Sequence, residues 1–257
     1  MEVNRVSVIT INYNNLDGLI KTHQSILRQN YYHFDHIVID GYSTDGSIEY
    51  LESNCKNYLI SRDSGIYDAM NKGIDRASGN WIVFLNSGDI FYPHAIREMM
   101  DVINQNDFDF VISAIDIFSS SGKFIFKKIP NNLNYSDYLN SMPAAHMSFF
   151  VKKSIYTKLG NYNNKFKVSG DFDLIQRLFR LTKNYAALEI SIGAFYLGGK
   201  SSSFKVIRED FKILSQYGMP LSKNVCIFFK KTLKFIIRQF IPSQLYIYLA
   251  KILNKNA

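Results

Sequence analysis

The sequence predicts an α/β protein built on a parallel sheet. Short runs rich in β-branched and other apolar residues recur early in the chain, at 6–11, 36–39, 58–61 and 81–85. Segments with apolar residues at helical spacing separate these runs. Each run stops at turn-forming polar residues, as buried strands do when their carboxyl ends open onto loops. Strand and helix in this alternation require crossover connections, and crossovers join parallel strands.

Val6 to Ile11 begins almost at the first residue and reads as a central strand. Asn12 to Asn15 ends it, and Leu16 to Gln29 follows as a helix with Leu19, Ile20, Ile26 and Leu27 on its apolar side. His36 to Ile39 is a second strand, halted by Asp40-Gly41, and Thr44 or Asp45 is suited to cap a helix over Ser47 to Asn54. Tyr58 to Ser61 is a third strand. Asp63-Ser64-Gly65 turns into a helix over Ile66 to Ala77, and Trp81 to Leu85 is a continuous apolar strand that stops at Asn86-Ser87-Gly88-Asp89. Polar groups just past the carboxyl end of such a strand sit where open α/β sheets bind ligands. A carboxylate there suits a hard cation, and a cation suits a phosphate. The stretch Arg62 to Asp89 is therefore the candidate site for a nucleotide-linked substrate.

After Asp89 the pattern gives a helix over Pro93 to Asn104, a strand over Phe110 to Ile115 and a hairpin within Phe118 to Ile129. The βαβ rhythm is then lost. His146 to Val151 reads as a strand, Lys153 to Leu159 as a short helix ended by Gly160, and Phe172 to Leu181 as a helix opened by Ser169-Gly170-Asp171. Ala186 to Leu197 supplies one or two strands, Gly198 to Ser203 a loop, and Arg208 to Tyr217 a helix.

At 257 residues with 47% hydrophobic and 20% charged side chains, the chain is globular and large enough for one domain with an appendage. Its net charge of +8 is uneven: Leu221 to Ala257 holds seven basic residues and no acid, so the rest is nearly neutral. The two cysteines, Cys55 and Cys226, have no metal spacing and fit a reducing compartment. The amino terminus lacks the features of a signal peptide, and no apolar run reaches the ~18–20 residues of a membrane span. A cytoplasmic location is expected. Lys223 to Lys255 is basic and amphipathic, broken at Pro242, with apolar blocks separated by lysines. That pattern suits a helix lying on the anionic inner face of the cell membrane, at about 1 kcal/mol per basic residue. The competing reading is a helical pair packed on the domain or on a second subunit, as in a homodimer. A nucleic-acid partner is not expected.

The segments TINYNN (Thr10–Asn15), VIDGYSTDGS (Val38–Ser47), DSGIYDAMNKG (Asp63–Gly73), GNWIVFLNSGD (Gly79–Asp89) and GDFDLIQRL (Gly170–Leu178) stand in order. With them the chain resembles glycosyltransferase family 2, in particular the bacterial members that build surface polysaccharides. The resemblance implies a GT-A fold: a Rossmann-like mixed sheet flanked by helices, spanning 1–220, with a donor half (1–115) and an acceptor half (116–220); the C-terminal helical extension (221–257) lies outside the resemblance. It implies a nucleotide-sugar donor, UDP-sugars favoured, a lipid-linked saccharide acceptor, and inverting transfer.

By the same resemblance Thr10, Asn12 and Asp40 hold the nucleoside, Asp63 lies near base and ribose, and Asn71 and Lys72 lie near phosphates or sugar. Asp89 would take a divalent metal, Mg²⁺ or Mn²⁺, although Asn86 and Gly88 occupy the usual acidic places; Asn86 is then a donor or metal-water contact. Asp171 matches the general base, with Asp173 as runner-up, and Gly170 replaces the usual glutamate. Residue by residue, Asp40 also reads as an Asx turn, Lys72 as a solvated helix residue and Asp171 as a helix cap. His146 is a candidate for the acceptor or diphosphate, and Lys200 for the diphosphate from a mobile loop. Two other classes compete. Ala194-x₄-Gly199-Lys200-Ser201 is a defective P-loop. A non-catalytic nucleotide-sugar binder on the same fold would explain the missing acids.

Overall fold

The computed structural model describes residues 4–130, 142, 144–197 and 203–240. In chain order the elements are β1 (Val6–Asn12), α1 (Leu16–Leu27), β2 (Phe34–Asp40), α2 (Ser47–Asn54), β3 (Tyr58–Ile60), α3 (Ile66–Arg76), β4 (Trp81–Phe84), β5 (Ile90–Phe91) and α4 (Ala95–Gln105). There follow β6 (Phe110–Phe118), β7 (Phe124–Lys128), a 3₁₀ turn (His146–Ser148), β8 (Phe149–Lys152), α5 (Lys153–Leu159), α6 (Gly170–Leu181), β9 (Tyr185–Tyr196), α7 (Phe204–Gln216) and α8 (Leu221–Phe240).

Among the described residues nine strands form one mixed sheet, ordered β3-β2-β1-β4-β8-β6-β9-β5, with β7 paired to β6. The first four in chain order are parallel, with Asn12 opposite Asp40 and Ile9 opposite Phe84. The chain leaves β1 toward β2 and β3, then returns to its other side with β4. That reversal opens a crevice at the carboxyl ends. From β4 the pairing turns antiparallel to β8, and β8 joins β6 the same way. β6 runs across 115/116, so the expected boundary between a donor and an acceptor half falls inside one strand.

Both faces of the sheet are covered, which is why its central strands read as unbroken apolar runs. Alternation within β1 divides the core. Val6 and Val8 pack with Trp81, Val83 and the α4 side chains Ile96, Met99 and Met100. Ile9 and Ile11 pack on the opposite face with Met70 and Ile74 of α3 and Phe172, Ile175 and Phe179 of α6. Gly79 sits so close to β1 that an added Cβ would lie 2.6 Å from the Arg5 carbonyl oxygen. Phe110, fully enclosed, gathers the rings of Phe149, Phe179 and Tyr185 within 6.4 Å.

Several expected boundaries move. His146 to Ser148 form the 3₁₀ turn, so the strand there begins at Phe149. Ala186 to Tyr196 belong to a single strand, because parallel pairing with β6 holds it through two register shifts. Ala194 lies inside that strand, where no phosphate-cradling loop can form. The helix expected from Arg208 starts at Phe204. Lys200 with its loop, and the tail past Phe240, lie outside the described residues.

Replacing Phe110 by alanine should cost about 3–5 kcal/mol. A lower denaturant midpoint with an unchanged slope would register that loss.

Candidate active site

The ends of β1 and β2 are locked together through side chains. Asp40, fully buried, accepts from Asn12 Nδ2 at 2.7 Å, from the Ser43 amide at 2.7 Å and from Ser43 Oγ at 2.8 Å. The Asn14 amide donates to Ser43 Oγ, and Asn14 Oδ1 accepts from the Thr44 amide, both at 2.8 Å. Asp45 accepts from the first amide of α1, Leu16, and from Ser47 in α2, so it serves both helix starts. Asn14 (φ 48°) and Tyr42 (φ 71°) hold left-handed backbone in these two loops. Such conformations persist only when their surroundings over-determine them.

Beside this lock lies an open, aromatic ledge. Tyr13 is 60% and Tyr42 53% exposed, and the Arg62 guanidinium stands 5.4 Å from the centre of the Tyr42 ring. Gly41 passes between Tyr13 and Asp63. A Cβ there would fall 2.8 Å from Asp63 Oδ2 and 3.0 Å from the Tyr13 ring, so glycine alone permits the approach. Asp63 Oδ1 accepts from the Gly65 amide at 3.0 Å, which holds the carboxylate at the ledge.

The turn after β4 is organised by Thr22 of α1. Its hydroxyl donates to the Asp89 carbonyl at 2.7 Å and accepts from the Gly88 amide at 3.0 Å. Asn15 Nδ2 donates to the Ser87 carbonyl at 3.0 Å. Gly88 has φ +106°, a backbone that an aspartate rarely adopts. Asn86 Oδ1 and Ser87 Oγ are buried without a hydrogen-bond partner. Burial pushes the Asp89 carboxyl up to about 8, against the pull of the Tyr196 amide. Among the described residues no group of three or more His, Cys, Asp or Glu is placed to hold a metal. The turn offers oxygens only: one carboxylate and two orphaned polar atoms. This set fits a hard cation that takes most of its ligands from phosphate and water.

Across the crevice, Asp171 opens α6. Its Oδ1 accepts from Tyr67 Oη at 3.1 Å and from the Phe172 amide at 2.9 Å. The carboxyl is held among Tyr67, Tyr162 and Phe84, and this desolvation raises its pKa to about 6. Gly170 has no room for a side chain, since an added Cβ would lie 2.7 Å from the Tyr67 ring. The tyrosine therefore occupies the space beside Asp171 that a glutamate at 170 would claim. Tyr67 stacks on Tyr162, 5.5 Å between centres, and burial followed by the nearby Asp171 charge pushes its hydroxyl pKa up, so it stays a donor. His146 lines the same small cavity as Asp171; its Nε2 is buried without a partner, and burial lowers its pKa to about 4, keeping the ring neutral. The loop before α6 is gripped by Glu209 of α7, whose carboxylate accepts from the amides of Lys167, Val168 and Ser169 at 2.9–3.0 Å.

The structure thus brings Asn12, Asp40, Asp63, Asn86 and Asp89 to the strand ends, with Asp171 and His146 on the α6 side. Other candidates are engaged elsewhere. Thr10 is buried two residues before the end of β1 and bonded to His36 Nε2 at 2.9 Å, so it serves the core. Asn71 clamps Tyr162 through both its backbone amide and carbonyl. Lys72 spends its donors on Ser61 Oγ, the Arg62 carbonyl and Asp68. Asp173, 1% exposed, is taken up by Arg177 and Tyr217. Tyr67, Thr22 and Glu209 are among the residues that sequence reasoning missed. Tyr67 lies inside a quoted motif but reads as a core position, Thr22 looks like a helix surface residue, and nothing marks Glu209.

A family model described as Glycosyl transferase family 2 matches residues 7–170. An uncharacterised glycosyltransferase of Mycobacterium tuberculosis is 33% identical over 181 residues, which cover 67% of this chain and 68% of that one. Among solved structures, Staphylococcus aureus TarS (residues 1–349) in complex with UDP-GlcNAc aligns with a TM-score of 0.68 at 14% identity, covering 90% of this chain and 73% of that one. The mannosyltransferase PcManGT from Pyrobaculum calidifontis, in complex with GDP-Man and Mn²⁺, aligns with a TM-score of 0.64 at 14% identity, covering 83% and 64%. These likenesses show the GT-A fold.

Thr22→Val keeps the side-chain shape and removes the hydroxyl that ties the Asn86–Asp89 turn. The variant should lose about 1–3 kcal/mol, and the Gly88 amide should exchange its hydrogen faster than in the parent.

Proposed function

This chain belongs to glycosyl transferase family 2, and on that premise we propose that it moves a sugar from a nucleotide-diphosphate sugar to a hydroxyl of a saccharide acceptor by a single inverting displacement. The observation that carries the reading is Asp171. It is a carboxylate at a helix start, oriented by Tyr67, with a pKa raised to about 6. A base with that pKa is ionised at neutral pH and still accepts a proton readily. Asp171 takes the proton of the attacking hydroxyl while the new bond forms at the anomeric carbon and the bond to the diphosphate breaks. The electron pair leaves with the diphosphate.

Tyr13, Tyr42 and Asp63, grouped around Gly41, receive the nucleoside: the rings supply flat apolar surface and the carboxylate accepts from base or ribose. A UDP-sugar is the first donor to test. Asn12 and Asp40 hold the two loops that carry this ledge. The Asn86–Asp89 turn faces the diphosphate; Asp89, with Asn86 Oδ1 and Ser87 Oγ, would hold Mg²⁺ or Mn²⁺ together with the donor's own oxygens. When bound, such an ion neutralises charge on the departing diphosphate. His146, neutral and with a free ring nitrogen beside Asp171, orients the acceptor hydroxyl. A lipid-linked saccharide is the acceptor class we favour.

Asp171→Asn should lower kcat by about 10²–10⁴-fold while leaving donor affinity unchanged. In the parent enzyme kcat/KM should fall tenfold per pH unit below about pH 6, because the active form is the deprotonated base. Tyr67→Phe removes a hydrogen bond that favours the charged carboxylate, so its acid limb should move to higher pH. Steady-state rates against a panel of UDP-, GDP- and TDP-sugars, with and without Mg²⁺ or Mn²⁺, measure all three effects. Donor binding without turnover on any acceptor would instead favour a binding module.

A further inference from the structure

Helix α8 has two apolar sides, and the structure separates them. Asn224, Ile227, Phe228, Lys231 and Phe235 turn inward toward α7: Asn224 Nδ2 donates to the Phe211 carbonyl at 2.9 Å, Lys231 pairs with Asp210 at 2.8 Å, and Phe228 meets the rings of Phe204 and Phe211. At 100° per residue, Phe229, Leu233, Ile236 and Ile237 fall on the opposite side, together with Cys226. They are 65%, 59%, 46% and 42% exposed. Lys223, Lys230 and Lys234, all exposed, line one edge of this outer face. Soluble surfaces seldom leave so contiguous an apolar strip uncovered. Among the described residues no helix is long and apolar enough to cross a membrane.

We propose that the outer face of α8 docks on an anionic lipid surface, lying in the headgroup layer with Phe229, Leu233, Ile236 and Ile237 inserted and the three lysines against acidic headgroups. Charge decides the occupant. A strip with lysines along one edge and no acidic residue anywhere in α8 complements a negatively charged sheet. The sequence beyond Phe240 keeps the same composition, adding Lys251 and Lys255 and no acid. The inward side of the same helix rests on α7, which carries Glu209 and hence the loop before Asp171. Docking would thus place the α6 side of the crevice near the lipid surface. The inference does not depend on the transfer reaction, and its test does not read activity.

Cys226 lies on the outer face and is exposed, whereas Cys55 is partly buried with its thiol pushed up to about 11, so an environment-sensitive thiol probe labels Cys226 selectively. The labelled full-length chain is mixed with vesicles of phosphatidylcholine containing 30% phosphatidylglycerol, or of phosphatidylcholine alone. The expected result is a blue shift with the anionic vesicles only, weakened at 1 M salt, where the Debye length is about 3 Å. Replacing Lys223, Lys230 and Lys234 by Gln should weaken binding on the order of a hundredfold, from about fivefold per lysine. Leu233→Ser with Ile237→Ser should cut it at least tenfold. A shift already present without lipid and independent of protein concentration would mean that residues 241–257 cover the face. One that grows with concentration would mean a second copy does. Either result, or no shift at all, overturns the proposal.

Discussion

Asn12 and Asp40 are register partners at the ends of neighbouring parallel strands, and the hydrogen bond between their side chains fixes the mouth of the crevice. A buried carboxylate costs several kcal/mol unless hydrogen-bond donors meet its oxygens. Here Asn12 and Ser43 meet them, and in doing so they bind the β1 and β2 loops into one unit. The left-handed Asn14 and Tyr42, the aromatic ledge and the narrow passage at Gly41 all depend on that unit. The enclosed Asp40 therefore acts through the loops it holds, and Asp63 is the carboxylate left facing the ledge.

Two glycines show how the site can depart from the family's acidic pattern without losing its shape. At 170 a side chain is barred by the Tyr67 ring, and the tyrosine hydroxyl supplies Asp171 with the hydrogen bond that fixes its orientation. At 88 the backbone itself selects glycine, because the turn tied down by Thr22 passes through φ +106°. In both places a neighbour sets the residue: an aromatic ring in one case, a threonine hydroxyl from the preceding helix in the other.

The second half of the chain supports Asp171 from a distance. α7 holds Glu209 beneath three successive amides of the 167–169 loop and offers its other side to α8. α8 and the start of α6 are thus linked through one helix. A force on α8 has a short path to Asp171 through packed side chains and one buried carboxylate.

The sequence by itself determined the parallel half of the sheet. β1, β4 and the end of β2 appear as apolar runs because both their faces are buried, and period and turn chemistry are local properties of the chain. It also marked Asp63, Asp89 and Asp171 as candidates, since each lies beside a turn signal that places a polar residue at a strand or helix end. Packing then separated these candidates from the others. Thr10, Asn71, Lys72 and Asp173 have the right chemistry, yet each is consumed by a partner, and all but Lys72 find theirs outside their own segment: His36, Tyr162 and Tyr217. Tyr67 and Glu209 became visible for the same reason reversed, because their partners stand 104 and 40 residues away. The tail repeats the lesson. Composition gave α8 its apolar residues, but packing against α7 alone separated those it buries from those it leaves exposed.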